Sequence, residues 1–374
     1  MIEPDDFGLS AIATLAHVGE PTRSIRHGSF WKIWGGGVMA ESPRLTPRDY
    51  TNSDPSDPSA THEFLSCRHA RIGCSLILPE QGKPKAGLVV LHGYDNVPSL
   101  AQAAEDWKEL PKRGVATLII RVRGYAGSCA DVPQLVHHAG HHGGGEWITY
   151  GLEVPLSDRG FGCDWSFSHA AADVVNACRA LRTMLGAASP GAPIFMFGES
   201  FGGALAVIAA SQLADLDEPA RLAIGLPTMG DWPWRMGLPE NPRGESAGER
   251  IRRFISDHAN LRNDITTTLR VFDAAVHARR ITCPVLCKLA TRDEVVPAPA
   301  AAAVFNAFGA DPGLKWRFVT HYGHFDGGIT DLRRHALFEQ VAADFLDPSR
   351  AVEDAMVAWE PVMTGGAGGQ GMKK

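Results

Sequence analysis

The sequence shows little of the patterns that are typical of membrane-spanning or signal segments. Nowhere in its 374 residues is there an apolar run of about eighteen residues, the length that a membrane-spanning helix needs. The first residues, MIEPDDFGLS, are acidic where a signal peptide has a positive segment followed by an apolar run. We therefore expect no membrane partner and a cytoplasmic location.

The sequence also has few cysteines and a small net charge. The seven cysteines are odd in number and show no repeating spacing, which argues against a disulfide scaffold and for reduced thiols. The net charge of −6 gives no basis for binding nucleic acid. No glycine-rich nucleotide-binding motif follows a strand, so no cofactor is expected. The histidines within 137–142 lie in a glycine-rich stretch without the fixed geometry of a metal site, and no metal is expected.

What is present is a regular alternation of apolar segments from residue 63 onward. Apolar runs of strand length alternate with stretches of helical periodicity, which is typical of a parallel sheet covered by helices on both faces. The predicted strands are 63–68, 71–79, 87–93, 115–124, 193–198, 221–227, 283–290 and 314–321, and the predicted helices are 99–113, 168–186, 201–213 and 330–346. The pattern predicts an α/β fold with a mostly parallel central sheet flanked by helices.

The same pattern divides the chain into a body and its appendages. Residues 1–60 are interpreted as an N-terminal arm, 61–350 as the body, and 351–374 as a flexible C-terminal tail. Insertions at 126–167 and 229–280 follow strands, at the carboxyl edge where sheets of this class bind ligands. We expect these insertions to form a cap over a substrate pocket.

The strongest chemical signal is the sequence Gly198-Glu199-Ser200-Phe201-Gly202. It matches the G-x-S-x-G pattern of a nucleophile elbow, and it stands between a predicted strand and a predicted alanine-rich helix, as that motif requires. Small residues are needed because the turn is sharp and a Cβ there would meet the neighbouring backbone. We therefore predict that Ser200 is a nucleophile.

A serine hydroxyl needs a base and an orienting acid, which follow it in the order acid, then histidine, in this class of enzyme. Asp293 comes first out of the strand 283–290 and is the preferred acid, with Glu294 as the alternative. His324 lies on the loop beyond the strand 314–321 and is the preferred base, with His321 as the alternative. His324 is expected to take the proton of the serine while Asp293 holds its tautomer.

The oxyanion of the tetrahedral intermediate needs backbone N–H donors. Phe201 follows the nucleophile and supplies one, and Tyr94 in the loop after an early strand is placed to supply the other. His92 and Gly93 precede Tyr94 and are counted with the predicted pocket. The alternative is that His92 and Gly93 only terminate the strand.

These motifs together resemble the acetyl xylan esterase and cephalosporin-C deacetylase family, carbohydrate esterase family seven. The resemblance covers about residues 60–345 and is strongest at HGYDN (92–96), RVRGYAGS (121–128) and 272–297. It implies an α/β-hydrolase fold, hydrolysis of small acetyl esters through an acyl-enzyme intermediate, and self-association into a homo-oligomer. It also implies the triad Ser200, Asp293 and His324.

Several positions depart from the family pattern. Phe201 and Tyr125 stand where the family has glutamine, and Phe325 stands where it has glutamate, which implies a more apolar pocket. Tryptophans in the insertions either line that pocket or form a small core of the cap. The predicted pocket residues are His92, Gly93, Arg123, Tyr125, Trp147, Trp232 and Phe325.

The sequence therefore predicts a serine hydrolase of a small carboxylic ester. Hydrolysis of a lactone or a carbon–carbon bond remains open because the same triad serves those reactions and specificity lies in the cap. A peptidase is a further alternative within the hydrolases, and a non-catalytic ligand-binding relative is the alternative of another class.

Overall fold

A computed structural model describes most of the chain. The described residues are 7–48, 57–95, 97–128, 145–156, 164–239, 246–325 and 327–364. Of the first insertion, residues 129–144 and 157–163 lie outside them, and with these the histidine-rich stretch 137–142. Within the described ranges, none of the helices combines the length and apolarity needed to cross a bilayer.

The described strands form one sheet in the order β1-β2-β3-β5-β4-β6-β7-β8-β9. Pairing is antiparallel from β1 to β5 and parallel from β5 through β4 to β9. The strands are β1 (Thr46–Pro47), β2 (His62–Leu65), β3 (Arg71–Ile77), β4 (Ala86–Leu91), β5 (Val115–Ile120), β6 (Ile194–Glu199), β7 (Arg221–Gly225), β8 (Val285–Ala290) and β9 (Lys315–Thr320). The predicted α/β sheet is confirmed.

Helices connect and cover these strands. They are α1 (Ala11–Ala16), α2 (His27–Ala40), α3 (Leu100–Asp106), α4 (Glu109–Lys112), α5 (Gly145–Thr149), α6 (Ser166–Ala188), α7 (Phe201–Leu213), α8 (Trp232–Arg235), α9 (Ala247–Asp257), α10 (Arg262–Val271), α11 (Ala274–Ala278), α12 (Ala298–Ala307), α13 (Gly328–Phe345) and α14 (Val352–Met363). The predicted single helix 99–113 is two helices, α3 and α4, interrupted at Trp107.

The central strands read as continuous apolar runs because both faces of the sheet are covered. All six residues of β4 are buried. Val89 and Leu91 pack in the core on the side of α6 and α7, whereas Leu88 and Val90 pack on the side of α3 and α13. The alternation places every second residue of a strand on the α13 side, which matters for the site below.

The N-terminal segment is anchored to the body by its tryptophans. Trp31 and Trp34 of α2 are buried. The indole N–H of Trp31 donates to the Val271 carbonyl at 3.1 Å, and that of Trp34 donates to the Ser168 hydroxyl at 3.1 Å. These partners lie in α10 and α6, so the segment is part of the core on that side of the sheet.

The prediction of a flexible tail from residue 351 is wrong for its first part. Residues 352–363 form α14, which buries Val352, Ala355 and Met356 in the same core as α13. Their spacing of three and four residues places them on one face of a helix, and this face packs against the body. Residues 365–374 lie outside the described part of the chain.

Candidate active site

Ser200 occupies a strained turn between β6 and α7. Its backbone has φ 54° and ψ −114°, a conformation that a residue with a side chain rarely adopts and that costs about 1–3 kcal/mol. The turn is fixed by a hydrogen bond from the Ser200 N–H to the Gly225 carbonyl at 2.7 Å. A Cβ at Gly202 would lie 2.7 Å from the His92 carbonyl oxygen, so this position requires glycine. The geometry is that of a nucleophile elbow.

Asp293 and His324 are joined directly. The Asp293 Oδ2 lies 2.8 Å from the His324 Nδ1, and the Asp293 side chain is almost fully buried. The other carboxylate oxygen accepts backbone N–H bonds from Val295 and Val296 at 2.9 Å each. Because a carboxylate only accepts, the His324 Nδ1 carries the proton and donates it, which leaves Nε2 as an acceptor. The histidine is therefore held in the tautomer that a general base requires.

The local alternatives lie elsewhere. The carboxylate bonded to His324 Nδ1 is that of Asp293, and the charged groups that shift the pKa of His324 are Asp293, Lys288 and Glu199. The His321 side chain is exposed, and its carbonyl accepts from the Thr291 hydroxyl at 3.0 Å. Within the described residues the structure thus pairs the preferred acid with the preferred base.

Two opposing effects set the pKa of His324. Burial lowers it, but the charge of Asp293 and its hydrogen bond raise it, and the net result is a pKa above the ordinary histidine value. The neutral ring is the form that can accept a proton, so His324 can serve as a base only above that raised pKa.

The strand order brings the serine and the histidine to one edge of the sheet. Ser200 follows β6, Asp293 follows β8 and His324 follows β9, and these strands lie in the sequence β6-β7-β8-β9 across the sheet. In the described part of the chain no hydrogen bond joins the Ser200 hydroxyl to the His324 ring. Hydrogen bonds between such groups are often long when no ligand is bound.

The loop after β4 is held by side chains at the same edge. The Val122 N–H donates to His92 Nε2 at 3.2 Å, so the proton of this ring is on Nδ1, which donates to the Gly93 carbonyl at 2.7 Å. The Tyr125 hydroxyl donates to the Tyr94 carbonyl at 3.0 Å. These bonds fix the backbone of the predicted oxyanion loop. His92 thus hydrogen-bonds within this loop and to the backbone after β5.

An aromatic cluster surrounds the residue after the nucleophile. The Phe201 ring lies 5.5 Å from the rings of Tyr94 and Trp147 and 6.2 Å from that of Tyr125, measured between centroids. Their side chains are buried. The rings of Phe201 and Tyr125, the two positions where the resembled family has glutamine, therefore pack in one buried aromatic cluster beside the turn.

The prediction that Arg123 belongs to the substrate pocket is wrong. Its guanidinium is fully buried and forms an ion pair with Asp173 at 2.6 Å, and it also donates to the Cys67 carbonyl at 3.0 Å. A buried guanidinium needs such partners because an unpaired charge is costly in the interior. Arg123 is a structural residue that fixes the turn after β5 to α6.

The remaining predicted pocket residues lie in different places. Trp232 is fully buried at the start of α8, with the Arg235 guanidinium 5.2 Å from its ring. Phe325 is 41% exposed, has a positive φ of 68°, and packs its ring 4.2 Å from that of His335.

The sequence analysis missed a buried charged group beneath the site. Lys288 lies in the apolar strand β8, and its ammonium group contacts the Glu199 carboxylate and the His335 ring. A lysine within the strand-forming sequence CPVLCKLA was the available signal, because lysine is almost never fully buried without a partner.

The chain matches the pattern of a known protein family. A family model described as acetyl xylan esterase matches residues 38–317. A search of curated proteins found no significant match.

Solved structures share the fold. Acetyl xylan esterase 1 from Thermoanaerobacterium sp. superimposes with a TM-score of 0.62 at 18% identity, covering 88% of this chain and 98% of that one. The acetyl xylan esterase from Paenibacillus sp. R4 gives 0.65 at 18% identity, covering 89% and 99%. The acylaminoacyl peptidase of Pyrococcus horikoshii gives 0.52 at 13% identity, covering 86% of this chain and 45% of the peptidase. The α/β-hydrolase fold is thereby confirmed.

Proposed function

The chain belongs to the acetyl xylan esterase family, and on that premise we propose that it hydrolyses short-acyl esters with Ser200, Asp293 and His324 as its triad. Family membership makes the chain a carboxylic ester hydrolase. The observation that carries the residue assignment is the 2.8 Å bond from His324 to the buried Asp293, at the sheet edge where Ser200 occupies its strained turn.

The proposed acylation step uses the free nitrogen of His324. Nε2 accepts the hydroxyl proton as the Ser200 Oγ attacks the ester carbonyl carbon, and a tetrahedral intermediate forms. The Asp293 carboxylate stabilises the resulting imidazolium. The imidazolium then gives its proton to the departing alcohol oxygen as the carbon–oxygen bond breaks. This leaves the acyl group on Ser200, and an attacking water repeats the sequence to release the acid.

The oxyanion is proposed to bind to two backbone donors. Phe201 begins α7, so its N–H lies in the first turn, where backbone donors have no partner within the helix. Tyr94 lies in the loop that His92 and Tyr125 hold in place. Donors fixed before the reaction stabilise developing charge without the cost of reorganising the site.

The buried aromatic cluster beside Ser200 supports a preference for short acyl groups. Phe201, Tyr94 and Trp147 are buried and in mutual contact beside the nucleophile, so they leave little room for a long chain on that side. Specificity in pockets of this kind changes by about 1–3 kcal/mol per methylene group that must be accommodated.

A series of p-nitrophenyl esters tests this proposal. The expected result is turnover that is fastest on the acetyl ester, slower on the butyryl ester and slowest on the octanoyl ester. Ser200→Ala, measured beside wild type, separates enzymatic turnover from spontaneous hydrolysis. Fastest turnover on octanoyl would overturn the short-acyl assignment. Absence of serine-dependent turnover on every ester would overturn the simple-ester assignment and direct attention to lactones or carbon–carbon bonds.

A further inference from the structure

A lysine is buried under the proposed active site. Lys288 follows Leu286 and Cys287 in β8, and all three side chains are fully buried. Leu286 packs in the core on the α13 side and Cys287 in the core on the other side, so the alternation of the strand directs Lys288 toward α13. Burying an ammonium group costs several kcal/mol unless partners compensate it.

The partners of Lys288 come from three different elements. Its ammonium forms an ion pair with Glu199 of β6 and donates to His335 Nδ1 of α13 at 2.8 Å. The ring of Phe325, in the loop after β9, lies 4.9 Å from the ammonium nitrogen. Because Lys288 only donates, His335 Nδ1 accepts, and its Nε2 proton is directed to Asp331 at 3.3 Å.

Two of the residues that contact Lys288 are adjacent in sequence to members of the proposed triad. Glu199 is the residue before Ser200, and Phe325 is the residue after His324. The carboxylate of Asp331 also accepts from the Gly327 N–H at 3.2 Å, which ties the end of the histidine loop to α13. The ammonium of Lys288 is thus the point where the serine turn and the histidine loop are connected through side chains.

We infer that Lys288 is a positioning residue that fixes the serine turn, through Glu199, and the histidine loop, through Phe325 and His335, relative to each other. The inference rests on the proposed function, because it assigns a role in orienting that triad. Orientation matters strongly in this chemistry, since a displacement of about 1 Å can cost about 100-fold in rate. Lys288 itself does not touch the reacting atoms.

The same group also acts on His324 by charge. The charged and titratable groups that act on His324 are Asp293 and Lys288 from β8 and its end, Glu199 from β6 and His335 from α13. Besides burial and the stronger effect of Asp293, Lys288 lowers the pKa of His324 and Glu199 raises it. Burial, with Lys288 and His324, lowers the pKa of His335 to about 3, so His335 is neutral. Removing Lys288 or Glu199 should therefore move the pKa of His324 in opposite directions.

The test compares Lys288→Met with a matched control. Methionine keeps the length of the side chain and removes its charge. We expect kcat for p-nitrophenyl acetate to fall about 100-fold with KM little changed, and the acid limb of kcat/KM to move to higher pH. The control is Lys315→Met on the neighbouring strand β9. The ammonium of Lys315 lies 5.7 Å from the centre of the Phe305 ring. This variant should retain the wild-type kcat and acid limb.

Glu199→Gln provides the second arm, which decides the matter if Lys288→Met does not fold. Glutamine keeps the shape and an acceptor for Lys288 but removes the negative charge, so kcat should fall and the acid limb should move to lower pH. Wild-type kcat in Lys288→Met, or an acid limb unmoved in both variants, would overturn the inference. Failure of the proposed function itself is distinguishable, because wild type and Lys315→Met would then show no turnover that depends on Ser200.

Discussion

A Ser200→Ala variant is expected to hydrolyse p-nitrophenyl acetate on the order of 10⁶-fold more slowly than wild type. The physical reason is that the hydroxyl is the only group lost, and with it the covalent step. Alanine keeps a Cβ at the position with φ 54°, so the turn and its strain are retained. The measurement is kcat at saturating ester, with protein that lacks any carried-over wild-type enzyme.

The matched control for this variant is Ser29→Ala, at an exposed serine on α2 whose hydroxyl donates to the Arg26 carbonyl. It should keep wild-type kcat. The thermal unfolding of both variants should stay close to that of wild type. A Ser200→Ala enzyme that retained even a tenth of wild-type kcat would exclude Ser200 as the nucleophile.

An Asp293→Asn variant is expected to lose about four orders of magnitude in kcat. The amide can donate to His324 Nδ1, which favours the tautomer with its proton on Nε2 and removes the base. The residual activity should also have its acid limb at lower pH, because the pair with Asp293 is what raises the pKa of His324. The measurement is the pH profile of kcat/KM for both enzymes.

A Glu294→Gln variant tests whether Asp293 or the neighbouring Glu294 is the acid of the triad. Glu294 directly follows Asp293, but the carboxylate bonded to His324 Nδ1 is that of Asp293, so this variant should keep kcat within a few-fold of wild type and leave the acid limb in place. The reverse outcome, with Glu294→Gln inactive and Asp293→Asn active, would transfer the role of the acid to Glu294.

The central sheet was predictable because the burial of each strand is reflected in the residues of that strand itself. Buried parallel strands are apolar along most of their length, and β4, β6 and β8 stand out in the sequence for that reason. The turn at Ser200 was predictable because its glycines are required by steric contacts that any chain would meet there. The pairing of Asp293 with His324 was predicted from the chain order of serine, acid and histidine and from the position of each residue just after a predicted strand.

The N-terminal and C-terminal helices were not predicted, for a different physical reason. The sequence of α2 contains Gly35, Gly36 and Gly37, which disfavour a helix, but burial of Trp31 and Trp34 stabilises it. In α14 few residues are buried, so the apolar pattern in the sequence is weak. These residues pack on a surface that forms only when the body is folded. Tertiary packing decided both elements.

Parts of the site were also beyond the sequence. Tyr125 was predicted to line a pocket and Phe201 to donate to the oxyanion, but the sequence does not indicate that their buried rings contact each other, because these residues are far apart in the chain. The group around Lys288 depends on β6, β8 and α13 meeting on one side of the sheet. Spacing along the chain carries no information on such meetings.

Labelling of the nucleophile tests the central claim most directly. A p-nitrophenyl alkylphosphonate reacts with an activated serine by forming an oxygen–phosphorus bond and releasing p-nitrophenolate, and the adduct is stable enough for peptide mapping by mass spectrometry. The account predicts that loss of esterase activity parallels labelling of Ser200, and that Ser200→Ala takes up no label. Complete inactivation with the label on another residue, or full activity in protein fully labelled at Ser200, would contradict it.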